Sequence, residues 1–506
     1  MRGAGLVWDT LDATIVLGQD IIQPARRTLP TPNAPHPAPS IHAPHGINHP
    51  LMLRRVLIAN RGEAAVRLVR ACHDLGAEAV AVYSTADSDG LWVGMADRAV
   101  CIGPHAAADS YLRVPNLIAA AETTGCDAVH PGWGFLAENA GFVRACQDND
   151  LVFVGPSAEA IELMGDKSRA KQTMAGAGVP LVPGSRERLS GAAEAARLAG
   201  QVGYPVLLKA SAGGGGRGMR MVAGPDQVEE AYRMASAEAE SAFGDGGMYL
   251  EKTIVEPRHV EMQVLADGES GVLVLGERDC SVQRRHQKLI EEGPSPALDE
   301  ATRAAMAEAA GRACSACDYV NAGTVEFLVD RDGGFSFIEM NTRLQVEHPV
   351  SELLTGIDIA VWQLRIAGGE RLPATGLAPL VGHAIEFRIN CEDPRRGFMP
   401  AAGTVSRFRP PLGAGVRVDT HAYEGYRVPP FYDSLLAKVI VHGGDREQAM
   451  ARARRALGEL EIEGVATTRE LFLEILDEPR FGSGRYTTAY LDDARGALPS
   501  LAEQVA

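Results

Sequence analysis

Residues 338–350 read IEMNTRLQVEHPV. From Glu339 onward every second residue is polar: Glu339, Asn341, Arg343, Gln345 and Glu347. Met340, Thr342, Leu344 and Val346 stand between them. In an extended chain alternate side chains point to opposite faces. One face would then carry two carboxylates, two carboxamides and a guanidinium. A solvated edge strand more often carries Lys, Ser and Thr, so a face of this composition calls for a chemical use.

The preceding stretch, GTVEFLVDRDGGFSFIEMN, supplies a partner. Asp332-Gly333 favours a two-residue type I′ hairpin. That turn pairs 331 with 334 and, counting outward, 326 with 339. Both are glutamates. Directly opposed Cβ atoms lie roughly 4.5–5.5 Å apart. Like charges so close, beside Phe327, Leu328 and Ile338, repel each other in poorly solvated surroundings. A divalent cation relieves this, and oxygen-only ligands suit Mg²⁺, with Asn341 adding a carbonyl oxygen. The alternative is a solvated acidic face.

Two further stretches carry charge or phosphate chemistry. KASAGGGGRGMRMV (209–222) contains G-x-G-x-x-G at Gly213, Gly215 and Gly218. A dinucleotide fingerprint or a P-loop opens a helix, and a P-loop lysine follows its glycines. Here Lys209 precedes them, and PVLLK and MRMV on either side read as strands. The expectation is a hairpin whose tip amides close over phosphates. In VQRRHQK, alternation would place Arg284, His286 and Lys288 together, either as a solvated cationic face or as a seat for an anionic group.

These residues need a scaffold. RRVLIAN, AAVRLVRACHDLG and AEAVAVYST (from residue 54) alternate as strand, helix and strand, the pattern of a doubly wound parallel sheet. Its first turn, NRGEAA, lacks a dinucleotide motif. HPGWGFLAEN reads as a loop at a sheet end. GDKSRAKQTMAGAGVP and the region 226–240 read as helices. GHAIEFRIN and LLAKVIVHG are strand-like, with a helix over 445–459.

The chain of 506 residues is long enough for several cores. Its net charge of −16 disfavours nucleic acid as a partner. It has no apolar run of the roughly 18 residues that cross a bilayer. Eight scattered cysteines form no disulfide framework and fit a reducing, cytoplasmic setting. The Cys314–Cys317 pair lacks a second pair and reads as buried apolar residues. Residues 1–51, dense in Pro with histidines at 36, 42, 45 and 49, should be disordered, and Met52 offers an alternative start.

A phosphate loop, a carboxylate pair and a cationic patch suggest ATP-dependent activation of an oxyanion. From about residue 53 to 490 the chain resembles the biotin carboxylases of the ATP-grasp superfamily. The stretches that carry this are IANRGE, HPGWGFLAEN, GDK, KASAGGGGRGMR, EKTIVEPRHVEMQVL, ERDCSVQRRHQK, GTVEFL, IEMNTRLQVEHPV, GHAIEFRIN and FYDSLLAK. The resemblance implies an α/β and α+β multidomain fold. A Rossmann-like pre-ATP-grasp domain spans 52–166. An ATP-grasp domain spans 167–375, with a mobile glycine-rich lid over about 182–254. A C-terminal biotin carboxylase domain spans 376–495.

It also implies roles. Lys167 and Lys209 would bind ATP phosphates under the lid at Gly213, Gly214, Gly215, Gly216 and Gly218. Glu251, Lys252, Ile254, His259, Gln283 and His286 would contact the nucleotide. Glu326, Glu339 and Asn341 would hold Mg²⁺, or Mn²⁺ in its place. Arg343, Gln345 and the Val346 amide would bind bicarbonate, with Glu347 as its base. Lys288 would steady bicarbonate and carboxyphosphate, and Arg388 the biotin enolate. The reaction would be ATP-dependent carboxylation of biotin borne by a separate carrier protein.

Trp133, Ala212 and Ala414 depart from residues common in the family. Ala414 replaces an aromatic expected at a dimer surface, where Arg70 and Arg417 could still contribute to a homodimer. No biotinylation motif or carboxyltransferase region occurs in the sequence, so carrier and carboxyltransferase are expected as separate chains. Acetyl-CoA carboxylase is the expected assembly. Propionyl-CoA, methylcrotonyl-CoA and two-chain pyruvate carboxylases are alternatives, as is another ATP-grasp carboxylate–amine ligase.

Overall fold

The computed structural model describes residues 53–502, apart from 186, 212–217 and 270. Residues 1–51, Met52, Ala212 and Gly213 through Gly216 therefore lie outside the described residues.

Strands β1 (Arg55–Ile58), β2 (Glu78–Tyr83), β3 (Arg98–Cys101), β4 (Ala128–His130) and β5 (Val152–Phe153) form a parallel sheet. Their order is β3-β2-β1-β4-β5. Val56, Leu57 and Ile58 are all buried, as a strand covered on both faces requires. The order reverses at β1 and β4, the place where open α/β sheets bind ligands. There Asn60 Nδ2 donates to the carbonyl oxygens of Pro131 and Trp133 at 2.7 and 2.8 Å. The loop after β4 is thus tied to the turn after β1.

β6 (Val206–Ala210) pairs antiparallel with β7 (Met219–Val222) on one side and with β8 (Met248–Lys252) on the other. The glycine run joins two strands, as the order of Lys209 and the glycines implied. Gly218, at φ +70°, closes this hairpin. A Cβ there would lie 2.8 Å from that of Ala210.

The central sheet has nine strands: β9 (Arg258–Ala266), β10 (Val272–Arg284), β11 (Gln287–Gly293), β12 (Asn321–Val329), β13 (Phe335–Asn341), β14 (Gly376–Leu377), β15 (His383–Asn390) and two more, β20 (Val416–Thr420) and β22 (Leu435–Gly443). The path runs β13-β12-β9-β10-β11-β15-β22-β20, with β14 beside β10. Short pairs flank it: β16 (Glu392–Asp393) with β17 (Met399–Pro400), β18 (Gly403–Thr404) with β21 (Arg427–Val428), and β19 (Arg407–Arg409) with β23 (Glu461–Glu463). The helix Glu300–Ala316 packs against β9 and β10. It is capped by Asp299 and buries Met306, Ala310 and Cys314. All eight cysteines are free thiols. Among the described residues no helix is long and apolar enough to cross a membrane.

Three local expectations change. Glu326 does face Glu339, but not through a two-residue turn. Val329 pairs with Phe335, so residues 330–334 form a five-residue loop in which Asp330 Oδ1 accepts from the amides of Asp332 and Gly334. A one-residue register shift between Glu326 and Phe327, a bulge at Ile338, restores the pairing. Second, β13 ends at Asn341, so Arg343, Gln345 and Glu347 do not continue an extended face. Glu347 instead precedes the helix His348–Thr355, whose first turn contains Pro349. Third, Arg285 and His286 form a two-residue turn with φ of 48° and 69°, which breaks the expected alternation of Arg284, His286 and Lys288.

Candidate functional site

The central sheet gathers side chains far apart in sequence. Lys288, near the start of β11, projects among three carboxylates. Its Nζ donates to Glu261 at 2.5 Å, Glu347 at 2.7 Å and Glu326 at 2.9 Å. Burial alone would disfavour its charge, but the three carboxylates raise its pKa well above the usual lysine value. Glu347 is fully buried and receives Lys288 on Oε1 and Arg388 Nη2, at 2.8 Å, on Oε2. Burial opposes its ionisation. Lys288, Arg388 and Arg278 outweigh burial and hold the carboxyl well below the ordinary range.

Glu326 accepts from Asn341 Nδ2 at 2.8 Å and lies 2.9 Å from His259 Nε2. Gln345 Nε2 reaches it at 3.4 Å. Opposite, Glu339 is exposed, and its pKa is raised by desolvation and by the charge of Glu326. Lys167 opposes that rise. The two opposed carboxylates suit a hard divalent cation; Asn341 presents its amide nitrogen to Glu326, so its oxygen would join them only with the amide turned over. Arg343 stands alongside. Its Nη2 donates to Asn341 Oδ1 at 3.2 Å, and its Nε to Glu138 at 2.8 Å.

On β8, Glu251 is gripped by both Lys209 and Lys171. Burial pushes its pKa up, but the two ammonium groups lower it to about 2. Its side chain is therefore engaged with lysines rather than open to an adenosine. Lys252 Nζ donates to the carbonyls of Gly203 and Tyr204 at 2.9 and 2.8 Å. Ile254 is half-buried, and Gln283 is buried with its amide on the Cys280 carbonyl at 3.4 Å. His286 is exposed at its turn, away from Lys288. His259 joins Glu326 instead of Glu251 and Lys252. Arg417 is held by Glu352 and Asp419 of its own chain.

Several site residues escaped the sequence reading. Glu261, wholly buried, binds Lys288 and also Arg278, whose Nε lies at 2.6 Å. His259, Glu261 and Gln263 alternate along β9, the same signal that singled out 339–347. Lys171 follows Lys167 by one helical turn, which places the two on one face. Lys438 donates to the Val346 carbonyl at 3.0 Å and fixes that turn. No spacing in the sequence reveals this contact.

Beside Arg388 opens a cleft of about 460 Å³, lined among others by Asn60, Trp133, Gln287, Val346 and Tyr432. Trp133 lies over Lys438, with the ammonium 5.2 Å from the ring centre. The cleft sits at the switch point of the N-terminal sheet, one side chain away from Glu347. The glycine hairpin, the paired lysines on Glu251 and the opposed carboxylates define an ATP-grasp enzyme.

Comparison with known proteins narrows this class. Residues 52–161 match the family model described as biotin carboxylase, N-terminal domain. Residues 166–375 match carbamoyl-phosphate synthase L chain, ATP binding domain, and 386–493 match biotin carboxylase C-terminal domain. A biotin carboxylase from Nostoc sp. is 53% identical over 440 residues, covering 87% of this chain and 98% of the relative. The crystal structure of a Campylobacter jejuni biotin carboxylase–βγ-ATP complex superposes with a TM-score of 0.83 at 49% identity, covering 87% of this chain and 99% of that one. The biotin carboxylase domain dimer of a Hydrogenobacter thermophilus 2-oxoglutarate carboxylase, with MgADP and bicarbonate, gives 0.82 at 47% identity, covering 88% and 98%. The chain belongs to the biotin carboxylase family.

Proposed function

We propose that this enzyme uses ATP and bicarbonate to carboxylate biotin borne on a separate carrier protein. The observation that carries this is the continuous run from Glu326 and Glu339 through Lys288 and Glu347 to Arg388 at the cleft. It joins a phosphate-side cation site to a pocket with a fixed positive charge.

Lys167, Lys209 and the glycine hairpin bind the phosphates. Gly213, Gly214, Gly215 and Gly216 belong to this part by the family pattern. Glu326, Glu339 and Asn341 hold Mg²⁺, which neutralises phosphate charge when bound. Arg343 offers planar bicarbonate a matching fork, with Gln345 and the Val346 amide beside it. Glu347 takes the bicarbonate proton. Each of its oxygens accepts one hydrogen bond, from Lys288 and from Arg388, and keeps a second lone pair for the bicarbonate proton. The bicarbonate oxygen attacks the γ-phosphorus and the bond to ADP breaks. Carboxyphosphate then separates into CO₂ and phosphate, and the phosphate removes the N1′ proton of biotin. Arg388 stabilises the enolate form through fixed charge, and N1′ attacks CO₂.

Glu251, Lys252, Ile254, His259, Gln283 and His286 remain the proposed surroundings of the nucleotide, with the side chains of Glu251, Lys252 and His259 acting through their own partners. The carrier and a carboxyltransferase are the partners, in the cytoplasm, and a homodimer is the proposed state. Acetyl-CoA carboxylase is the proposed assembly, with propionyl-CoA, methylcrotonyl-CoA and two-chain pyruvate carboxylases as alternatives. Transfer of radiolabelled bicarbonate to free biotin tests the chemistry. Dependence on ATP and Mg²⁺ is expected, and ATP cleavage indifferent to bicarbonate contradicts it.

A further inference from the structure

Behind Arg388 lie two carboxylates to which the proposed reaction gives no task. Glu291 on β11 and Glu386 on β15 are directly paired across the strands. Both are completely buried. Opposed positions place their side chains on one face of the sheet, with Cβ atoms roughly 4.5–5.5 Å apart. Glu291 Oε1 accepts from Arg388 Nε at 2.6 Å. Its Oε2 and both oxygens of Glu386 find no hydrogen-bond donor among the described residues. Three orphaned carboxylate oxygens inside a protein are expensive. Two carboxylates can only accept. A proton between them converts one into a donor, as in acid dyads that cannot both ionise.

The groups around the pair do not remove this need. From β22 comes Lys438, already on the Val346 carbonyl and near Glu63 and Asp419. Lys288, earlier on β11, is shared by three other carboxylates. Glu261 on β9 and Glu347, ahead of the helix His348–Thr355, add further negative charge, and Cys280 on β10 adds no cation. His348 on that helix is kept neutral by burial and by Lys438. The opposite face of β15 packs Ile385 and Phe387 into apolar surroundings.

We propose that Glu291 and Glu386 share one proton and act as a positioning pair for Arg388. A single carboxylate charge then anchors the Nε side of the guanidinium. The Nη side stays available to Glu347 and to the biotin oxygen. This rests on the enolate role proposed for Arg388. Burial pushes the Glu291 carboxyl up to about 7, with the Glu347 charge adding to the rise and Arg388 opposing it. Burial likewise raises Glu386 well above 4.5, against Lys438 and with the help of Glu291. If the pair lost its proton, Arg388 would face three negative carboxylates and its positive field would be cancelled.

The test compares wild type, E386Q and E291Q. Glutamine at 386 donates a hydrogen bond to Glu291 and cannot ionise. In wild type, carboxylation of free biotin should fall on the alkaline side while biotin-independent, bicarbonate-dependent ATP cleavage does not. E386Q should move that fall upward by at least about one pH unit. E291Q should lower kcat for biotin by about 10- to 100-fold with KM for ATP unchanged. Coincident alkaline limbs in wild type and E386Q overturn the inference, as does an equal loss of both activities in E291Q. A second arm needs no turnover. A carboxyl whose pKa is raised by folding binds more protons when folded, so its contribution to stability falls as pH rises above about 4.5. E386Q should therefore gain stability relative to wild type with rising pH and lose the infrared band of a protonated carboxyl. A pH-independent difference, or an unchanged band, contradicts the shared proton. If wild type fails to carboxylate biotin, the proposed reaction falls, while this arm still decides the proton.

Discussion

The two ends of the central sheet handle buried charge differently. At the β9–β12–β13 end the carboxylates meet cations. Glu261 lies between Arg278 and Lys288, and Glu326 between His259 and Lys288. At the β15–β22 end, four buried glutamates, Glu63, Glu291, Glu386 and Glu392, have at least one oxygen without a hydrogen-bond donor among the described residues. The first end holds paired charges, as the proposed site for phosphates and bicarbonate requires. The second leaves carboxylate oxygens unpaired next to the cleft. Chemistry that moves a proton benefits from having the two side by side, joined at Glu347 and Arg388.

The comparison can be broken most severely at its junction. E347Q should lower biotin carboxylation by about 10²- to 10⁴-fold while nucleotide affinity, read by titration, stays near normal. K288M takes one cationic partner from each of three buried carboxylates, Glu261, Glu326 and Glu347. Breaking such buried pairs costs about 3–5 kcal/mol, so denaturant unfolding should show a loss of that order. R388A should lower biotin carboxylation about tenfold more than biotin-independent ATP cleavage; equal losses would detach it from the cleft chemistry. The smallest effect is expected away from both ends. K252A removes two hydrogen bonds to carbonyls and should cost about 1–3 kcal/mol of stability.

The two ends also differ in sign with pH. Folding holds Glu347 well below the ordinary carboxylate range and Glu251 at about 2. Their stabilising contribution is complete above the unfolded value and is lost as pH falls through the folded one. Glu291 and Glu386 are raised, so their contribution is largest in acid and declines as pH rises from about 4.5. Unfolding free energy measured against pH should fall in acid for wild type, and E386Q should lose part of the alkaline decline.

How much of this was legible in the sequence depended on range. The glycine hairpin could be read because the order of Lys209, the glycines and the flanking strands is local. The facing of Glu326 and Glu339 was also reached, but by two errors that cancel. The loop is three residues longer than Asp332-Gly333 suggested, and the bulge at Ile338 shifts the register back by one. Bulges leave little mark in composition. Alternation failed after Asn341 because Pro349 and the following helix turn the chain, yet Arg343, Gln345 and Glu347 still reach the same cluster. Glu261 was legible in hindsight from the period of β9. The pairing of Glu291 with Glu386 was not, since strand neighbours 95 residues apart are set by sheet topology.

In the proposed reaction Glu347 links a phosphate-side cation site to biotin chemistry. The most direct test supplies wild type and E347Q with ATP, Mg²⁺, radiolabelled bicarbonate and free biotin, and measures label in carboxybiotin. Wild type should label biotin in an ATP-dependent manner, and E347Q should lose nearly all labelling with nucleotide still bound. Full labelling by E347Q would contradict that link.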